Sequence, residues 1–110
     1  MNVAPRIALY GFVAIVLPVV AGSVAHAADV AEGHKLAQTV CSRCHVVTGK
    51  KGPGWTNAPS FAEIANRPTT TTASLEAIIQ TPHPKMLSHA ARSPADAADL
   101  AAYILTLRQK

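Results

Sequence analysis

The sequence predicts an all-α domain of three to five short helices. Three observations carry this: apolar residues recur at helical spacing in successive segments, capping residues stand before them, and no run alternates as a strand would. No internal repeat is present. From Asp29 to Val40, residues Val30, His34, Leu36, Ala37 and Val40 form an apolar stripe, with Asp29 available as N-cap. That helix runs straight into Cys41. Thr48 to Ala58 holds Gly49, Gly52, Pro53, Gly54 and Asn57, and is expected to be loop.

Phe61 to Asn66 forms a short helix that must stop before Pro68, because the residue preceding a proline is pushed out of the helical region. The polar run Thr69–Thr72 leads into a helix capped by Thr72 or a neighbour, with Leu75, Ile78 and Ile79 on one side. Thr81-Pro82-His83-Pro84 ends that helix and forces an extended path through Lys85 and Met86. In Ser93-Pro94-Ala95-Asp96, Ser caps, Pro takes the first helical position and Asp stands where a capping box places an acid. The last helix then runs from Pro94 to about Leu107, with Leu100, Tyr103, Ile104 and Leu107 on one face.

The first quarter of the 110-residue chain stands apart from this domain. Arg6 precedes the apolar stretch Ile7 to Val20, and small residues follow as far as Ala25-His26-Ala27. A positive start, an apolar middle and an A-x-A site are the layout of a secretory signal peptide, here residues 1–27, cut after Ala27. The alternative is an uncleaved anchor, since the stretch approaches the roughly 20 residues that span a bilayer. Pro18, Gly22 and the A-x-A triplet favour cleavage. In both cases the domain, residues 28–110, is exported.

Removing residues 1–27 leaves 83, with Trp55, Phe61 and Tyr103 as their aromatic residues. So small a chain builds a meagre core and commonly needs a staple or a cofactor. Nine Lys and Arg against six Asp and Glu leave +3. That charge suits an acidic protein partner, and neither a basic run nor an aromatic platform for nucleic acid is present.

Cys41-Ser42-Arg43-Cys44-His45 is a C-x-x-C-H sequence, which reads as a site of covalent haem attachment. The two thiols, a helical turn apart, can add to the two porphyrin vinyl groups while the neighbouring imidazole meets the iron. Three other chemistries use similar residues. A disulfide here would close a tiny, strained loop. A thioredoxin-like pair would need a βαβ context, and a zinc site would need more regularly spaced ligands than the scattered histidines supply.

Function then turns on the sixth position of the iron. Met86 is the one methionine in residues 28–110, and a thioether there favours ferrous iron and closes it to oxygen, which makes an electron carrier rather than an enzyme. His83 and His89 are the competing ligands, and His34 is a surface or boundary residue.

With these residues in place, the chain resembles the small class I bacterial cytochromes c over nearly all of residues 29–108. The marks are Gly33 with Leu36-Ala37 before C-x-x-C-H, Ala58-Pro59-Ser60-Phe61 after it, Pro82-His83-Pro84-Lys85-Met86, and Asp99-Leu100-Ala101-Ala102-Tyr103-Ile104. The resemblance implies helices wrapped around one covalent haem c with His45 and Met86 on the iron, in a periplasmic protein cycling between ferric and ferrous states. It implies that Gly33 lets the first helix cross closely at Tyr103, and that the Pro59 carbonyl, or that of Pro53, orients His45. It also suggests that Trp55 reaches a haem propionate and that Arg67 offsets propionate charge. Relatives often carry Pro directly after the axial Met, whereas this chain has Leu87.

The implied partners are redox proteins, for which Arg43, Lys50, Lys51 and Lys85 could form a cationic rim or could simply be solvated. The mature chain is expected to be a monomer or a subunit of a redox complex, with no membrane contact once the leader is removed. Two other functions remain open: a dedicated cytochrome subunit of a periplasmic dehydrogenase or oxidase complex, and a haem sensor or enzyme with a labile sixth ligand.

Overall fold

Capping chemistry sets where the helices begin. Asp29 accepts from the amides of Ala31 and Glu32 and starts α1, Val30–Thr39. Ser60 and Glu63 form a reciprocal capping box at the head of α2, Phe61–Ala65, and Thr71 and Ser74 form another ahead of α3, Thr72–Gln80. Ser93 accepts from the Asp96 amide, with Pro94 as the first residue of α4, Pro94–Thr106.

The computed structural model describes residues 4, 11, 13–19, 21–22, 26–82 and 92–110. Among them the secondary structure is these four α-helices and two short 3-10 turns, Cys41–Arg43 and Trp55–Asn57, without a strand. Much of the predicted leader, and His83, Lys85, Met86, Leu87 and His89, lie outside the described residues. Val13, Ile15, Val16, Leu17 and Val19 of the predicted leader are exposed. No helix among the described residues is long and apolar enough to cross a membrane.

The domain is organised on α4. Helix α1 crosses it at Gly33, α3 packs on it and α2 meets its C-terminal end. Leu100, Ala101, Tyr103 and Ile104 of α4 join Ala37, Val47, Phe61, Ala65 and Leu75 in one buried cluster. The α1 stripe differs from the predicted one. Gly33 and Ala37 are buried, while Val30 and His34 are exposed. The reason lies at the crossing: a Cβ on Gly33 would meet the Asp99 carbonyl carbon at 2.5 Å and Tyr103 Cβ at 3.0 Å, so bare backbone sets the contact line. Val30, the first helical residue, falls beyond that contact, and His34 stacks on the outer face of the Tyr103 ring at 4.7 Å.

The tail closes the other end. Arg108 donates through Nε to the Ala65 carbonyl at 2.8 Å and through its guanidinium to the Thr70 carbonyl at 2.6 Å. The amide of Gln109 donates to Asn66 Oδ1 at 2.9 Å. These bonds satisfy carbonyls left open at the end of α2 and fix the corner leading into α3.

Candidate functional site

Helix α1 ends at Val40 and the chain tightens into the turn Cys41–Arg43. The amides of Cys44 and His45 both donate to the Cys41 carbonyl, at 3.1 and 2.9 Å. Ser42 Oγ donates back to the Gln38 carbonyl at 2.5 Å, which anchors the turn to the helix before it. Both cysteines are free thiols and half-buried. Burial in apolar surroundings pushes the Cys41 thiol up to about 11, against the opposing pull of the Arg92 charge, so the neutral thiol is the form held in this wall.

The loop after the motif folds back onto it. The Gly54 amide donates to the Ala58 carbonyl at 2.8 Å, and a Cβ on Gly54 would collide with the Cys44 carbonyl and approach His45 Cα at 3.1 Å. The predicted loop contains a turn there, in which Thr56 and Asn57 take φ of 54° and 60°. Threonine seldom adopts that left-handed conformation, so its identity gave no signal.

This path delivers Pro59, rather than Pro53, to the histidine. His45 Nδ1 lies 2.7 Å from the Pro59 carbonyl oxygen. A carbonyl only accepts, so Nδ1 carries the proton and donates it. The Phe61 ring lies 5.4 Å from the imidazole, and the Phe61 amide donates to the Val46 carbonyl at 2.9 Å. Tyr103 completes the frame by donating its hydroxyl proton to the Val47 carbonyl at 2.7 Å.

Cys41, Cys44 and His45 open onto one cleft whose other walls are mostly apolar. Val40, Pro59, Phe61, Ile64, Leu75, Ile78, Ile79, Leu100 and Ile104 line it, together with Arg67 and Arg92. Counted out to its mouth, the cleft holds about 980 Å³. Two thiols, a tautomer-fixed imidazole and aliphatic walls are the donor set and surroundings that suit a covalently attached porphyrin. Ile78, 60% exposed to solvent, contributes to this wall, which accounts for a large apolar side chain on the accessible face of α3. Among the described residues no three His, Cys, Asp or Glu groups gather to hold a bare metal ion.

Of the predicted surroundings, Pro59 and Arg67 line the cleft, and Arg67 also borders a second hollow beside Lys51, Asn57 and Asn66. Trp55 is 69% exposed and is not among the cleft-lining residues. Sequence reasoning missed Arg92. It lines the cleft with its Nε wholly shielded from water and without a hydrogen-bond partner.

Residues 30–108 match the family model described as Cytochrome c. A cytochrome c-552 from Bradyrhizobium diazoefficiens is 42% identical over 86 residues, which cover 78% of this chain and 82% of that protein. No solved structure gives a significant match. The helices around an apolar cleft, the C-x-x-C-H turn and both similarities agree: the chain belongs to the cytochrome c family of electron-transfer proteins, with haem c as its covalently bound cofactor.

Proposed function

We propose that this protein is an exported one-electron carrier, periplasmic after cleavage behind Ala27, in which Cys41 and Cys44 hold the haem, and His45 Nε2 and Met86 are the iron's axial ligands. The observation that carries this is the bond from His45 Nδ1 to the Pro59 carbonyl. It commits one ring nitrogen, turns the other toward the cleft chemistry and raises the basicity of the imidazole. Because the acceptor is a backbone carbonyl held between a Gly54–Ala58 turn and the Ser60 cap, the ring is oriented before any partner arrives.

Support for Met86 comes from the flanks of its segment. Ile79 before it and Arg92 after it both line the cleft, and the Arg92 amide meets the Ile79 carbonyl at 3.4 Å. Both flanks of the segment that carries Met86 therefore border the cleft. When bound, the haem supplies the one-electron couple. The protein orients the imidazole through the Pro59 carbonyl and would hold the porphyrin against the apolar walls of the cleft.

The test is spectroscopic, on the haem-matured protein. A His/Met carrier shows the weak near-red sulfur-to-iron band when ferric and resists carbon monoxide when ferrous. A missing band together with ready carbon monoxide binding would overturn the Met86 assignment. Mass measurement of the exported protein tests the cut after Ala27 independently.

A further inference from the structure

We propose that Arg92 is a potential-tuning residue: a fixed cation in the haem-cleft wall that favours ferrous iron and raises the reduction potential of the carrier. Arg92 lines the same cleft as Cys41, Cys44 and His45. Its Nε is buried and makes no hydrogen bond. All six acidic side chains of residues 28–110 are described, and among the described residues none forms an ion pair with Arg92: Glu32 pairs with Lys35, and the Asp99 carboxylate accepts the Asp29 amide.

A guanidinium stays protonated in proteins, so this charge is permanent across the physiological range. Arg92 is half-buried with its Nε shielded from water, so its charge stands in the wall of the cleft rather than in bulk solvent. Reduction adds one electron from a donor protein to ferric iron and lowers the charge of the centre by one. A fixed cation nearby disfavours the ferric state more than the ferrous state, and low local dielectric strengthens the difference. Arg92 needs no contact with the reacting atoms for this effect.

The inference rests on the haem occupying this cleft, but not on Met86 being the ligand. The experiment is a charge ladder in the haem-matured protein, with Arg92→Lys, Arg92→Met and Arg92→Glu measured by spectroelectrochemistry at constant pH and ionic strength. Visible spectra recorded alongside report the axial ligands separately. The potential of the Lys variant is expected to stay near wild type, that of Met to fall and that of Glu to fall further. The ordering should persist at raised salt, because the group stands half-buried in the cleft wall. Equal shifts in all three variants would mean that the side chain merely fills space or excludes water, and no shift would mean that its charge is screened. Either result, or an ordering that collapses in salt, overturns the proposal.

Discussion

The backbone carbonyl of Asp99 occupies the space that a side chain on Gly33 would need. Helices α1 and α4 thus meet backbone to backbone, and the contact positions two groups that matter to the haem motif. One is the end of α1, which becomes the Cys41 turn. The other is Tyr103, whose hydroxyl holds the strand of loop just after His45.

Gly33→Ala is therefore expected to force the helices apart rather than be absorbed locally, because the obstructing atoms are backbone. Overpacking of this kind costs about 1–3 kcal/mol or more. Denaturant unfolding of the haem-loaded protein should show a lowered midpoint, whereas Gly49→Ala, with nothing within 4 Å of the added carbon, should leave it nearly unchanged.

Asp99 itself gives the fold a pH dependence. Its carboxylate accepts the Asp29 amide at 2.8 Å, and this bond is the foremost cause that holds its pKa below the ordinary carboxylate value despite the opposing effect of burial; His26, 3.0 Å away in the full chain, adds to it only while residues 1–27 are attached. A folded-state pKa below the unfolded value stabilises the protein above the unfolded pKa, about 3.9, and the contribution is lost as pH falls through the folded one. Asp99→Asn should thus be less stable than wild type near neutrality, and the gap in unfolding free energy should close as pH falls below that range. A gap that is constant with pH would contradict the assignment.

Ser60 joins helix capping to ligand orientation. It is fully buried, caps α2 and directly follows Pro59, whose carbonyl accepts the His45 Nδ1 proton. Ser60→Ala is expected to cost about 1 kcal/mol of stability, the usual value of an N-cap. The ferric spectrum should also broaden as His45 loses its fixed orientation, which loss of a cap remote from the iron would not produce. Pro59→Ala keeps the backbone acceptor and should perturb the spectrum less than Ser60→Ala.

The thiols make separable predictions. Cys41→Ala or Cys44→Ala should each leave one thioether, read as a haemochrome band displaced toward that of a haem with a free vinyl group. The double variant should lose its haem under denaturing electrophoresis, while either single variant retains it.

Helix α4 was legible because its cap, its N1 proline and the spacing of Leu100, Tyr103 and Ile104 all agree, and the structure places those three in the core. The C-x-x-C-H turn was legible for a different reason: its chemistry is local and needs no distant partner. What escaped depended on chain paths. The sequence put Pro59 first by resemblance but left Pro53 as an alternative, since the choice is made by Gly54 packing on the Cys44 carbonyl through a turn with Thr56 at positive φ. The α1 stripe was drawn through Val30 and His34 because a residue without a side chain, Gly33, defines the real contact line. Arg92 was invisible because a cation just before a helix cap ordinarily faces water.

The most direct test of the account is a paired spectrum of the haem-matured protein and its Met86→Ala variant, each ferric and ferrous. The wild type should carry the near-red sulfur-to-iron band and remain closed to carbon monoxide, and the variant should lose the band and bind the gas. Identical spectra from the two proteins would contradict the His45/Met86 carrier and transfer the sixth position to His83 or His89.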